Sequence, residues 1–311
     1  MIQCIFCKSS EKIVKAGFRH NDSGKKQRYW CKKCKNRFVP NDGFWKMKHT
    51  PEVIAEAISC RKRGMPYQEV SKHFREYDKA NICSATAYNW VQKYGKVLRN
   101  LNLKQIPELS GKINLDEFVS KFKKKKFYRW VSKDRKTKFR INAFSSEKRT
   151  YKDGPKKVYA NMKKRFYDQF MEAKKREKKI NFTSDMLPHY KKGHTKYFFN
   201  VATLTHGVPI KCKKYGLKRN NNCIERDHQY SRKLERNARG NKNVEGISAL
   251  YDVGDFYYNY IDQQRLMKRC GKTKKWVPKE KTWRTPAERA KIKLDFGERF
   301  QLLRAIKMVY P

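Results

Sequence analysis

Acidic residues are scarce in this 311-residue chain: 29 Asp and Glu face 77 Lys and Arg, a formal net charge of +48. So poor a supply of carboxylate excludes a polycationic partner and calls for a polyanion. The positive charge runs from Lys8 to Lys307 and is not gathered in one tail, so the whole body is expected to meet phosphates. Long hydrophobic runs are missing too. Stretches such as 201–204 fall far short of the ~20 apolar residues of a membrane helix. The first ten residues hold two cysteines and no apolar signal segment, so an intracellular protein of cytoplasm or nucleoid (nucleus in a eukaryote) is expected, with no membrane partner. No internal repeat is visible. Aromatic residues, by contrast, make up 14%, which argues for folded cores because disordered basic tails lack them.

Disulfides are not expected in such a setting, yet there are nine cysteines, and Cys4, Cys7, Cys31 and Cys34 form a cluster while five are scattered. The cluster reads CIFC and CKKC, two C-x-x-C knuckles separated by 23 residues. Two close thiolate pairs suit a tetrahedral zinc ion. A segment of about forty residues buries little core, and metal binding, worth on the order of 10 kcal/mol in zinc-finger peptides, would supply its folding free energy. A redox pair is the alternative, but nothing beside the knuckles suggests a thioredoxin-like βαβ unit. Residues 1–42 are therefore assigned to a structural zinc ribbon, made basic by Lys25, Lys26, Arg28, Lys32, Lys33 and Arg37.

Residues 43–105 read as three helices. Thr50 can cap the first, Pro51 suits its first position, and Ile54, Ala57 and Ile58 repeat at helical spacing until Gly64 stops it. Pro66 opens the second, through Val70 and Phe74. Ser84 can cap the third, which buries Trp90, Val91, Tyr94 and Leu98. Three short helices after a zinc ribbon suggest a helix-turn-helix DNA reader with Ser84, Thr86, Asn89, Gln92 and Lys93 as contacts. A three-helix bundle with no reading role is the other assignment.

Pro107 and Gly111 mark a linker, and the texture then changes. KINLDEFVSKF, KFYRWVSKD and KTKFRINAFS read as an antiparallel meander with a turn at 134–136. A Lys-rich helix over about 156–178 follows, then a strand ending at Asp185, an irregular stretch, and a helix from about Asn222. Three strands, helix, strand, helix is the order of a ribonuclease-H-like (integrase) α/β core, assigned to 106–270. Residues 271–311, with Trp276 and Trp283, form a basic helical tail whose packing partner the sequence leaves open. On the helix near 222, Glu225, His228, Arg232, Arg236 and Arg239 share one stripe, with Ile224, Leu234 and Ala238 beside it. Taken alone, Glu225 could simply pair with local arginines. Asp116 on the first strand and Asp185 at the end of the fourth change that reading, because neighbouring strands and the following helix would bring three carboxylates together. Such a trio in a cationic protein would repel unless it held cations, and two divalent ions, Mg2+ or Mn2+, suit phosphoryl transfer on DNA. Glu117 is expected on the opposite face of its strand, Asp134 in a turn, and Asp227 off the stripe as a structural partner.

INLDEF, SDMLPHY, NNNCIERDH with Arg232 seven positions after Glu225, and TWRTPAERAKI together resemble the DDE transposases of bacterial and archaeal insertion sequences, as does the module order. That resemblance implies that Asp116, Asp185 and Glu225 bind the metal pair, that the Arg232 position touches DNA near the site with His228 close to the scissile phosphate, and that the protein is at least a dimer acting on double-stranded DNA. Phe118 stands where this family more often shows Thr. A non-catalytic zinc-ribbon, helix-turn-helix regulator is the competing class. Whichever holds, DNA affinity is expected to fall steeply with salt: log Kd against log salt concentration should have a slope of about 6 or more, as for proteins making 6–10 phosphate contacts. A slope near 1 would overturn the polyanion reading.

Overall fold

The structure is a computed structural model that describes residues 2–21, 24–44, 47–77, 80–122, 125–207, 221–236, 243–270, 273, 275–294, 296–297 and 300–310. Arg239 and Ala238 of the helical stripe lie outside them. The chain forms two compact units, Met1–Leu98 with Asp295–Pro311, and Arg99–Leu294. Among the described residues no helix is long and apolar enough to cross a membrane.

In the first unit, β1 (Ile13–Asn21), β2 (Gly24–Cys31) and β3 (Arg37–Phe38) form an antiparallel sheet beside a small core of Cys4, Cys31 and Phe38. Three helices follow: α1 (Pro51–Arg63), α2 (Tyr67–Glu76) and α3 (Ser84–Lys104), the last running on past the unit boundary. Thr50 accepts from the Val53 N–H, and Gly64 closes α1 at φ 114°, a left-handed conformation that favours glycine. Ser84, expected to cap α3, is instead its first helical residue. The Cys83 carbonyl accepts the Ala87 N–H at 3.2 Å, and the Cys83 thiol lies 3.2 Å from the Thr86 hydroxyl, so the cap sits one residue earlier. Ile54, Ile58, Val70, Phe74, Trp90, Val91, Tyr94 and Leu98 are all buried. From the far end of the chain, α9 (Gln301–Val309) packs on α1 within this unit.

The second unit is built on a five-stranded mixed sheet of β4 (Lys112–Phe122), β5 (Lys125–Asp134), β6 (Arg140–Ser146), β7 (Asn181–Thr183) and β8 (Thr203–Thr205), in the order β6-β5-β4-β7-β8. β4, β5 and β6 are the antiparallel meander, and β7 joins β4 in parallel. Asp134 accepts from the N–H groups of Lys136 and Thr137, which fixes the turn between β5 and β6. α4 (Pro155–Lys175) lies on one face with α5 (Pro188–Phe198), where Tyr190 meets Trp130 edge-on. The stretch read from sequence as irregular therefore holds a helix, α5, and a three-residue strand, β8. α6 (Asn222–Arg236) and α7 (Val244–Phe256) belong to the other face, and α7 continues into a π-helical turn, Tyr257–Ile261. β9 (Met267–Arg269) and β10 (Trp276–Pro278) form a small hairpin ahead of α8 (Pro286–Arg289).

α6 runs alongside β4 as a ladder. Asn221 meets Asn114, His228 meets Asp116 and Phe118, Arg232 covers Phe118, and Glu235 accepts from Ser120. At about 1.5 Å per helical and about 3.3 Å per strand residue, fourteen steps of helix and six of strand both span roughly 20 Å. The two elements thus stay in step along their whole contact. α7 presses close behind: a Cβ on Gly254 would come within 2.3 Å of Leu234.

Between sheet and helices this face is ionic. Arg129 binds Asp252 and Asp255, Lys133 binds Asp227, and Arg140 binds Asp227 and Asp255, at 2.5–2.9 Å and with every partner buried. Three cations thus balance three carboxylates. Burial alone would raise the Asp227 carboxyl, but Arg140 and Lys133 outweigh it and hold it well below the usual carboxylate range. Its contribution to stability is therefore full above the unfolded value near pH ~4 and is lost as pH falls through the lower folded value. Asp252 behaves oppositely: burial outweighs Arg129 and lifts it to about 6, so ionising it between pH ~4 and 6 works against the fold. Removing one partner of a buried pair strands the other charge. Asp227→Asn should cost about 3–5 kcal/mol in urea denaturation, against less than ~1 kcal/mol for Glu69→Gln, which breaks the exposed pair with Lys72. Equal losses in the two variants would mean that the buried pairs do not hold the face together.

Candidate active site

Asp116 and Asp185 meet because of strand register. β4 and β7 pair as Ile113 with Phe182 and Asn114 with Thr183, and the same register carried two residues onward sets Asp185 beside Asp116. One oxygen of each of Asp116, Glu117 and Asp185 lies within 4.8 Å of the others. Glu117 lies on the opposite face as expected, but one of its oxygens still joins the group, which corrects the expectation that it would stay clear of the same ion. Its own partners are on that face, Arg149 with a 2.8 Å bond from Nε and Tyr190 with a 3.2 Å bond from the hydroxyl. Yet β7 stops at Thr183, so no strand there separates the two faces, and the carboxylate reaches the gap where Asp185 leaves the sheet.

The electrostatics fit a cation site. Burial, then Asp185 and Asp116, raise Glu117 to about 7 despite Arg149. Burial raises Asp185 as well, with Asp116 adding to it. Oxygen donors in a close group, each disfavouring the ionisation of the next, are the donor set of a hard divalent ion such as Mg2+ or Mn2+.

Glu225 stands half-buried on the first turn of α6, its carboxyl raised by burial and then by Asp116, with Asp185 also contributing. It lies within electrostatic reach of both aspartates but outside the group of three. His228 needs a second correction. Expected to contact DNA, it is 3% exposed, its Nε2 is 3.2 Å from Asp116 Oδ2, and its ring packs on Phe118. The ladder that seats α6 on β4 turns this imidazole inward, where it orients a carboxylate. Arg232 and Arg236 are exposed, and the Arg232 guanidinium sits 5.8 Å from the Phe118 ring centre. Of the candidates on α3, Asn89 is exposed, while Ser84, Thr86, Gln92 and Lys93 are half-buried, and burial lowers Lys93. The missed residues Glu117, Arg149 and Tyr190 had one weak signal, a second acid beside Asp116 in INLDEF.

In the first unit, the Sγ atoms of Cys4 and Cys34 are 3.6 Å apart and those of Cys7 and Cys31 3.7 Å, with all four thiols within 4.8 Å. A tetrahedron of zinc–sulfur bonds of ~2.3 Å has edges of ~3.8 Å, and a disulfide is far shorter at ~2.0 Å. The residue after each knuckle, Lys8 or Lys35, has φ near +60°, so both pairs end in the same left-handed turn. Hydrogen bonds from Asn36 lower Cys34 to about 6 while burial and the neighbouring thiols raise Cys7 to about 11, so without a cation the cluster divides into thiolate and thiol.

The sequence matches no protein-family model and no curated protein. Among solved structures, a chain of the simian T-cell lymphotropic virus intasome in complex with PP2A regulatory subunit B56 gamma overlaps at TM-score 0.36 and 11% identity, covering 74% of this chain and 72% of that one. The HTLV-2 integrase catalytic core domain in complex with magnesium, in trimeric form, overlaps at TM-score 0.30 and 13% identity, covering 55% and 93%. Likeness at this level says nothing about chemistry, which rests on the side chains.

Purified protein is expected to carry one zinc per chain by elemental analysis, and Cys31→Ser to lose it along with the native circular dichroism of the first unit. A metal-free protein with an unchanged spectrum would leave the four thiols as a core without a structural ion.

Proposed function

We propose that this chain is a DNA transposase of the DDE type, from a bacterial or archaeal insertion sequence, that cuts element ends and joins them to target DNA. The observation that carries the reading is the meeting of Asp116 and Asp185 under α6, with Glu225 beside them, in a protein of net charge +48. The 3-2-1-4-5 strand order, taking the meander as 1, 2 and 3, agrees with the ribonuclease-H-like core expected from sequence.

In this reading Asp116, Asp185 and Glu225 hold two divalent ions, Mg2+ or Mn2+. When bound, the ions would make the attacking oxygen more nucleophilic and stabilise the leaving one. His228 fixes the Asp116 carboxylate through its 3.2 Å contact. Glu117, tied to Arg149 and Tyr190, stiffens the floor of the site, and with its carboxyl raised to about 7 it carries only part of a negative charge near neutral pH. Arg232 and Arg236 meet the phosphates on the exposed side of α6. The zinc ribbon and the helix-turn-helix, with Ser84, Thr86, Asn89 and Lys93, recognise the element ends, and joining two ends calls for a dimer or larger assembly within the cell. Water would cut the 3′ end first, and the freed 3′-hydroxyl would then attack target DNA, with alignment replacing any covalent protein intermediate.

One observation favours a second reading, a DNA-binding regulator or inactive copy: Glu225 stands outside the close group of carboxylates. Strand transfer of pre-cut element ends into plasmid separates the two. Asp116→Asn and Glu225→Gln are each expected to lower the joined product by about a hundredfold or more, the scale of losing one electrostatic stabiliser, while leaving end binding within about twofold. Binding without product in the wild type would favour the regulator.

A further inference from the structure

A cavity of about 450 Å³ opens on the flank of α6 turned away from Asp116, within the size range of small-ligand sites. Cys223, Arg226 and Tyr230 line it from the helix at steps of three and four residues, a single stripe. At its floor Asp227 and Lys133 are bound to each other at 2.5 Å and cancel. Among the described residues no other carboxylate lines it, so Arg135, Lys138 and Arg226 leave three cations around the space. Opposite them stands Trp276 of β10, 56% exposed, its ring 5.5 Å from the Arg226 guanidinium.

Cations without counter-acids would select an anion of any shape; the exposed indole narrows the choice. A planar ring can stack on Trp276 and be flanked by Arg226, while a phosphate attached to it reaches Arg135 and Lys138. We propose that this cavity holds an unpaired nucleotide of a DNA strand, with its base on Trp276 and its phosphate on the cations. A paired base inside a duplex is excluded because both its faces are covered by its neighbours in the stack, and a blunt end lacks the free backbone turn that would bring its phosphate to the cations. Arg226 follows Glu225 directly, about 100° round the helix, so this site and the acidic group lie on adjacent flanks of α6. The inference needs no turnover and stands whether or not the carboxylates are catalytic.

The test uses the full chain, no added divalent metal, and a short duplex carrying 2-aminopurine either in a three-nucleotide single-stranded overhang or within a blunt end. The overhang is expected to be quenched on binding and to bind about tenfold more tightly than the blunt duplex, the scale of stacking one base on an aromatic ring. Trp276→Leu should abolish the quenching and the preference while leaving blunt-end affinity and the unfolding midpoint unchanged. Arg135→Gln should keep the quenching but lower the salt slope of overhang binding by about one. Equal binding of overhang and blunt duplex by the wild type, or a preference that survives Trp276→Leu, would overturn the assignment.

Discussion

The second unit depends on a buried ionic joint. Sheet and helices on one face are held by Arg129, Lys133 and Arg140 against Asp227, Asp252 and Asp255, where most domains would set aliphatic side chains. Such a joint is costly to desolvate and adds less net stability than its Coulomb energy suggests. What it adds is direction. Asp227 has to point at Lys133 and Arg140, and once it does, the rotation of α6 is set. Glu225 and His228, two residues before and one after, are then turned toward β4.

The scarcity of acids acquires a meaning in this arrangement. Few carboxylates are available, and seven of them gather about α6: three in the joint, and Asp116, Glu117, Asp185 and Glu225 around the candidate site. One group is neutralised by fixed cations. The other holds oxygens together with much less cationic compensation, and burial and mutual repulsion raise Glu117, Asp185 and Glu225; within the joint Asp227, with two cations, is lowered, while burial outweighs Arg129 at Asp252. The same residue type serves as a fastener on one side of the helix and as a cation-seeking cluster on the other.

The sequence made much of this legible. The meander, the Lys-rich helix and the helix from Asn222 follow from periodicity, and the closeness of Asp116 and Asp185 follows from adjacent parallel strands. α5 was hidden because its Lys and His residues blur the apolar stripe, and β8 because three residues are too short for alternation to show. Strict alternation placed Glu117 on the far face, where Arg149 and Tyr190 hold it, but could not show that its carboxylate also reaches Asp116 and Asp185. His228 looked exposed because its stripe is otherwise charged; only the ladder with β4 shows it turned inward. Of the ionic joint only Asp227 was legible, as a structural partner; its cations were not, since in a chain this basic a buried arginine reads like any other.

The ladder between α6 and β4 has a consequence for how such a chain can vary. Helix and strand advance at different rates per residue and coincide only because fourteen steps of one match six of the other. Adding or deleting a single residue within α6 would swing every later side chain by about 100°, separating His228 or Glu235 from its strand partner. A single-residue shift in β4 would turn Asp116 to the opposite face. Changes in length are therefore confined to the connections outside this pair of elements, and the spacing from Asn221 to Glu235 is as much a fixed property of the protein as its carboxylates.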